Sequence, residues 1–197
     1  SASDIDADSN HFNMFSHIND YYDVPNLNKC LPASQSVNLQ SILHLNINNL
    51  VTKFDIFYTN LQLIDHKFSI IAFTETATNS ETENWVDIPG YSKIIKNRVI
   101  NMKGGGVAMY FNNDLKISWK VRQDLSLKDS REMESLFVQI KQSNLSVKEI
   151  IVGVIYRPPN TDFDVFYDSF SDILVKINAE KRPTYLLGDF NIDLLKY

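Results

Sequence analysis

Cysteine is almost absent from this sequence, since Cys30 is the only one among its 197 residues. A single thiol excludes an intrachain disulfide, and one cysteine with four scattered histidines cannot assemble a Cys/His metal cage. We therefore expect an intracellular protein from a reducing compartment.

Long apolar runs and an excess of positive charge are missing as well. The longest apolar run, Ile150 to Tyr156, is far too short to span a bilayer, and residues 1–9 are acidic and polar, unlike a signal peptide. We expect no membrane contact. The formal net charge is −5, so any contact with a polyanion such as DNA has to be local.

Glycine is scarce and unevenly placed, because all six glycines lie at Gly90 or later. The first 40 residues are rich in Ser, Asp and Asn, which predicts a polar, loosely ordered leader over residues 1–40. Hydrophobic residues make up 44% of the chain and charged residues 22%, as in soluble globular proteins. The remaining residues, 41–197, have a suitable length for one folded domain.

Apolar periodicity predicts two helices among eight short strands. Helical spacing extends from Val51 to about His66 and from about Asp164 to Ala179, with Asp162 or Asp164 as the cap of the second helix. The strands are predicted at Ile42–Leu45, Ser69–Thr74, Tyr91–Lys96, Gly106–Phe111, Leu115–Val121, Ser135–Ile140, Val147–Tyr156 and Tyr185–Leu187. Because the helices separate groups of strands, we predict an α/β fold of two sheets packed face to face with helices outside.

Polar residues follow three of these strands where each would leave the core. Asn46 follows the first strand, Glu75 the second, and Asp189 with Asn191 the last. If those strands are neighbours that point the same way, one pocket receives two carboxylates and two amides, which suits Mg²⁺. Taken singly, Glu75 could be a solvated strand end, Asn46 a turn former and Asp189 a cap.

Five sequence blocks, in order and at fitting spacings, resemble the endonuclease/exonuclease/phosphatase superfamily. They are residues 43–50 (LHLNINNL), 70–76 (IIAFTET), 104–110 (GGGVAMY), 154–159 (VIYRPP) and 187–191 (LGDFN). The chain is most similar to the apurinic-type endonuclease domain of non-LTR (LINE-like) retrotransposons. This resemblance implies a four-layer α/β/β/α sandwich, incomplete at its C-terminal end, with residues 41–197 as the N-terminal two-thirds of the domain and the active site at one end.

The resemblance also implies roles in metal binding and water activation. Glu75 matches the metal-binding glutamate of the family, and Asn46 matches the asparagine that helps to hold the metal and the scissile phosphate. Asp189 matches the aspartate that positions or deprotonates the attacking water. The implied cofactor is Mg²⁺, or Mn²⁺ in its place. Some members carry an aspartate where this chain has Asn48, and a neutral side chain there weakens metal binding or leaves one site.

Three further residues would act on the phosphate of a DNA substrate. The resemblance implies that Asn191 hydrogen-bonds the phosphate and that the Tyr156 hydroxyl approaches it. Arg157, next in the chain, could add a positive charge as a phosphate contact.

The sequence departs from the family at its end. Family members continue to a Ser-Asp-His block whose aspartate and histidine act at the scissile phosphate, whereas this chain stops at Tyr197, six residues after Asn191. Loss of an acid or base commonly lowers a rate by about 10²–10⁴. We therefore expect impaired activity in this chain.

Two classes of function remain open. One is a Mg²⁺-dependent endonuclease domain that nicks target DNA in the nucleus to prime reverse transcription, beside a downstream reverse transcriptase domain. The other is a catalytically inactive retroelement-derived fragment or binding module. The Tyr-Arg-Pro-Pro block makes a phosphatase or sphingomyelinase on the same fold the weaker reading.

Overall fold

The computed structural model describes residues 22–31, 41–98, 104–126, 131–142 and 149–193. Their strands are β1 (Ile42–Asn46), β2 (Ile70–Thr74), β3 (Tyr91–Lys96), β4 (Val107–Asn112), β5 (Ile117–Val121), β6 (Glu134–Gln142), β7 (Ile150–Tyr156) and β8 (Thr184–Asp189). The helices are α1 (Val24–Cys30), α2 (Leu50–Gln62) and α3 (Phe163–Glu180). Most of the leader, residues 1–21 and 32–40, lies outside the described residues.

The strands form two four-stranded sheets that follow one another along the chain. The first sheet has the order β1-β2-β4-β3 and the second the order β5-β6-β7-β8. In each sheet one pair is parallel, β1 with β2 and β7 with β8, and the other pairs are antiparallel. The carboxyl ends of a parallel pair meet at one edge, and this fixes where polar residues after those strands gather.

The two sheets pack face to face and each carries a helix on its outer face. Between the sheets lies an apolar core to which β2, β4, β6 and β7 contribute buried side chains. Leu50 and Phe57 of α2 pack on the other face of the first sheet, and Phe166, Ile173 and Ile177 of α3 pack on the second. Every residue of β2 and β4 is buried because these strands are covered on both faces, which explains their uninterrupted apolar sequences.

The predicted α/β class with two sheets and outer helices is confirmed. The helix predicted from Val51 to about His66 is α2, and it ends at Gln62. It stops there because Leu63 N–H and Ile64 N–H bond back to the carbonyls of Asn60 and Leu61 in a closing turn. Helix α1 falls within the leader, where the polar composition gives no sign of it. Among the described residues, no helix has both the length and the apolar character needed to cross a membrane.

Asp162 is the residue that caps α3. Its Oδ1 accepts hydrogen bonds from Asp164 N–H at 2.9 Å and from Val165 N–H at 3.1 Å, so two otherwise unpaired amides of the first turn are satisfied. Helix α3 covers the outer face of the sheet that ends in Asp189, and the guanidinium of Arg157, just after β7, lies over the Phe163 and Phe166 rings at its start.

Replacing Asp162 with Ala is expected to lower the free energy of unfolding by about 1 kcal/mol, because the cap bonds are lost. Urea unfolding followed by circular dichroism measures this change. Asp168→Ala, at an exposed position of the same helix, is the control and should stay within about 0.5 kcal/mol of the parent. Equal stability of the two variants would contradict the capping role.

Candidate active site

The polar residues that follow the parallel strands gather at one end of the sandwich. Asn46 closes β1 opposite Thr74, and Glu75 comes directly after that residue at the end of β2. In the second sheet, Tyr156 at the end of β7 lies opposite Asp189 at the end of β8. The two sheets therefore present their polar strand ends on the same side.

Asn46 connects the two sheets through its side-chain amide. Its Nδ2 donates to Glu75 Oε1 at 2.8 Å and to Asp189 Oδ2 at 2.6 Å. The Asn46 Oδ1 accepts the backbone N–H of Asn48 at 3.2 Å, which orients the amide. Two carboxylates 114 positions apart in the sequence (189 minus 75) are thus brought to one amide group. A donor between them offsets the repulsion of two like charges.

Both carboxylate oxygens of Asp189 accept hydrogen bonds. While Oδ2 accepts from Asn46, Oδ1 accepts the backbone N–H of Asn191 at 3.1 Å. The Asn191 side chain donates through Nδ2 to the carbonyl of Arg157 at 2.7 Å, so the loop after β8 is tied to the end of β7. Each oxygen of a carboxylate has two acceptor positions, so capacity for a water or a substrate hydroxyl remains.

Tyr156 lies beside Glu75 and stays protonated. Burial, the charge of Glu75 and a hydrogen bond to Glu75 together raise the pKa of Tyr156 to about 12. The Tyr156 hydroxyl is therefore a neutral hydrogen-bond donor near pH 7, directed at a carboxylate of the site.

Arg157 is buried behind the site rather than exposed within it. Its side chain donates to the carbonyls of Asn191 at 3.0 Å and Thr161 at 2.7 Å, and its guanidinium carbon lies 5.6 Å from the centre of the Phe166 ring. The residue is only 8% exposed. These contacts order the loops after β7 and β8; a direct contact of Arg157 with a phosphate stays a prediction.

His44 also lies at the site, although it is not among the site residues predicted from the sequence. It lines a pocket of about 590 Å³ together with Asn46, Asp189 and Asn191. Burial lowers the pKa of His44, and the charge of Asp189 opposes that shift. The signal was present in the sequence, because side chains two apart on a strand share a face and His44 is two residues before Asn46.

The loops that carry the site have unusual backbone conformations. Asn48, Asn49, Glu75 and Ala77 all have positive φ angles, between 44° and 79°. Non-glycine residues adopt this conformation at a cost, and they keep it where surrounding contacts hold it. Here Asn49 N–H bonds Glu75 O at 2.7 Å and Leu50 N–H bonds Thr76 O at 2.9 Å, so the two loops hold each other.

The site offers oxygen ligands to a cation. In the described part of the chain, no group of three or more His, Cys, Asp and Glu side chains could form a metal cage. The oxygen donors are instead the carboxylates of Glu75 and Asp189, and the Asn46 NH2 between them donates to both while its Oδ1 accepts the Asn48 N–H. Mg²⁺ is commonly bound by one or two carboxylates with waters in its remaining positions, so the residues present fit that ion.

No protein-family model matches the sequence, and no curated protein matches it either. Solved structures do match. The endonuclease domain of TRAS1, a telomere-specific non-LTR retrotransposon, superposes with a TM-score of 0.52 at 13% identity over 78% of this chain. An endonuclease/exonuclease/phosphatase family protein from Bacteroides thetaiotaomicron gives 0.55 at 17% over 78%. D. rerio TDP2, complexed with a single-strand DNA product, gives 0.51 at 10% over 77%.

These similarities confirm the fold predicted from the five sequence blocks: the chain has the endonuclease/exonuclease/phosphatase fold. It covers 60% of the TRAS1 domain, 64% of the Bacteroides thetaiotaomicron protein and 60% of TDP2. The described residues therefore correspond to about three-fifths of these structures, and they include the end of the sandwich where Asn46, Glu75 and Asp189 meet.

Replacing Asn46 with Asp tests the amide bridge. The new carboxyl group cannot donate when ionised and is repelled by Glu75 and Asp189, so its pKa in the folded protein is raised above its unfolded value. The penalty is therefore present at pH 7, fades as the pH falls through the raised pKa of the folded protein, and is gone below the pKa of an unfolded aspartate, about 3.9. We expect a loss of about 1–2 kcal/mol at pH 7 and a smaller loss at pH 4.

Urea unfolding at the two pH values measures the difference from the parent at each. Asn84→Asp adds the same charge at an exposed position of the short 3₁₀ helix Glu83–Trp85 and should show little change. An equal loss for Asn46→Asp at both pH values would show that repulsion between carboxylates is not its cause.

Proposed function

We propose that this chain is a Mg²⁺-dependent phosphodiester hydrolase domain that acts on DNA. The observation that carries the proposal is the Asn46 amide, which joins the carboxylates of Glu75 and Asp189 at one end of an endonuclease/exonuclease/phosphatase fold. Hydrolysis of a phosphodiester needs a positioned water, neutralisation of charge on the phosphate oxygens and support for the leaving oxygen. The residues at this end of the sandwich offer groups for the first two needs, and a bound Mg²⁺ would help with the third.

Asp189 is the residue proposed to hold the attacking water. Its two oxygens are fixed by Asn46 and by the Asn191 backbone, so the carboxylate has a defined orientation before substrate arrives. The remaining acceptor positions can take a proton from water as the water attacks in line. Preorganisation of this kind is what makes a weak base effective.

Asn46, Tyr156 and Asn191 are proposed to orient the phosphate as neutral donors, and Asn46 would exchange one of its bonds to Glu75 and Asp189 for the phosphate. Tyr156 remains protonated near neutral pH because its pKa is raised to about 12, so it can donate a hydrogen bond to an anionic oxygen. Glu75, with Asn46, would hold the Mg²⁺, which supplies a fixed positive charge against the phosphate when bound. Neutral donors around that charge orient a phosphate without cancelling it.

DNA is the proposed substrate, and nicking is the proposed outcome. The five sequence blocks resemble retrotransposon endonucleases, and two of the structures with this fold are a retrotransposon endonuclease domain and a protein bound to a DNA product. A nick that leaves a 3′-hydroxyl would prime synthesis by a downstream reverse transcriptase domain. Action on genomic DNA would place the protein in the nucleus.

Binding of Mn²⁺, used as a probe for Mg²⁺, tests the role of Glu75. Glu75→Gln keeps an acceptor for Asn46 but removes the charge, so we expect affinity to fall by about tenfold or more, since changes to residues that merely support metal ligands already cost that much. The electron paramagnetic resonance signal of free Mn²⁺ reports the bound fraction. Glu81→Gln, at an exposed loop position, is the matched control. Equal affinity of the parent and Glu75→Gln would remove Glu75 from the metal site.

Nicking of supercoiled plasmid in Mg²⁺ tests catalysis. We expect slow nicking or none by the 197-residue chain and faster nicking by a version extended through a Ser-Asp-His block. Asp189→Ala should abolish nicking by the extended version, because the Asp189 carboxylate is the proposed holder of the attacking water, whereas Asp168→Ala should not.

Two results would redirect the proposal. Robust nicking that survives Asp189→Ala would show that the mechanism is wrong. Binding of Mn²⁺ and DNA by an extended version that never nicks would favour the alternative, an inactive retroelement-derived binding module.

A further inference from the structure

A buried ion pair lies beside the proposed site without belonging to it. Glu134 opens β6 directly opposite Tyr156, so both side chains lie on the face of the second sheet that meets the first. Arg98 Nε is 2.8 Å from Glu134 Oε1, and the two side chains are 12% and 9% exposed. Burying an ion pair costs free energy unless further hydrogen bonds satisfy the two groups. The other contacts of this pair therefore indicate its structural role.

The second oxygen of Glu134 reaches across to the first sheet. Glu134 Oε2 accepts the backbone N–H of Gly106, which directly precedes β4, and Arg98 comes two residues after the end of β3. Glu134 itself belongs to the second sheet. The carboxylate therefore joins the two sheets at the end of the sandwich where the site lies, and Lys96 Nζ, which donates to Ser135 O at 3.1 Å, crosses the same gap.

The glycine turn held by Glu134 in turn holds the backbone next to Glu75. The Gly106 carbonyl accepts the N–H of Thr76 at 3.2 Å, and the Gly105 carbonyl accepts the N–H of Ala77 at 2.7 Å. Glu75 and Ala77 have φ angles of 57° and 51°, which cost energy in non-glycine residues. Their conformation depends on such external bonds.

The ion pair packs directly on this glycine turn. A Cβ atom added at Gly105 would lie 2.6 Å from Arg98 Cδ and 2.6 Å from Glu134 Oε1, whereas a Cβ at Gly104 would meet nothing within 4 Å. Both glycines have left-handed backbone conformations, with φ angles of 74° and 71°. The two positions differ in the space available and hardly at all in backbone conformation.

We propose that Glu134, oriented by Arg98, is a positioning residue that fixes the glycine turn at Gly105 and Gly106 and through it the backbone that presents Glu75. This inference rests on the proposed metal-binding role of Glu75. It adds a requirement that lies outside the metal site: the oxygen acceptor for Gly106 N–H has to be present for tight metal binding.

Two double variants separate the acceptor from the charges. Arg98→Met with Glu134→Gln keeps an oxygen acceptor for Gly106, while Arg98→Met with Glu134→Met removes it; neither leaves an unpaired buried charge. We expect the first to bind Mn²⁺ much as the parent does and the second to bind about tenfold more weakly. Equal Mn²⁺ affinities of the two doubles would overturn the inference.

Amide hydrogen exchange at Thr76 and Ala77 gives a readout that does not depend on metal. Exchange at both should be about tenfold faster in the double variant with Met at position 134 than in the one with Gln, because the bonds to the glycine turn are loosened. The Ile151 N–H, bonded to Pro183 O at 2.9 Å, is the internal control and should not change. Unchanged exchange at Thr76 and Ala77 would also overturn the inference.

A second pair of variants serves if the doubles fail to fold. Gly105→Ala and Gly104→Ala impose similar backbone strain, but only the first displaces the ion pair, so only the first should weaken Mn²⁺ binding and speed exchange at Thr76 and Ala77. Equal effects would contradict the inference. If Glu75→Gln leaves Mn²⁺ affinity unchanged, the proposed function fails, and the exchange result alone then supports or overturns the role of Glu134.

Discussion

One amide group shared by two carboxylates is the interaction on which the site depends. Glu75 comes from the first sheet and Asp189 from the second, and Asn46 Nδ2 lies 2.8 Å and 2.6 Å from their oxygens. These distances are set by how far apart the sheets lie, which is fixed in turn by the apolar core between them. A change in that core would therefore alter the distance between the carboxylates of Glu75 and Asp189.

The chain holds this geometry through backbone as well as side chains. Glu75 sits in a left-handed conformation between two loops that bond each other and the glycine turn before β4. In the second sheet, hydrogen bonds between Asn191 and Arg157 hold the loop after β8. Glu75 is thus presented by a loop and Asp189 by the end of a strand, and both have little freedom to relax, as a preorganised site requires.

Much of the fold and part of the site could be predicted from the sequence, for a physical reason. Strands leave a local signal of apolar residues and turn residues, and Asn46, Glu75 and Asp189 stand just where such signals stop. Arg98 and Glu134 carry no such signal, because their contact arises only when β6 faces the loop between β3 and β4. The burial of Arg157 could not be predicted either, since it depends on Phe166 of α3 and on the Asn191 carbonyl, 34 positions away. The chemical roles assigned to the site residues stay predictions.

The order of the strands along the chain has a consequence for how the molecule forms. The first sheet is complete by Asn112, and the second is assembled from residues that come afterwards. The bond between Asn46 and Asp189 spans 143 positions, so it cannot exist until β8 has joined its sheet and the two sheets have docked. On a ribosome, the first sheet could fold while the rest of the chain is still being made, and the paired carboxylates would be among the last contacts to form.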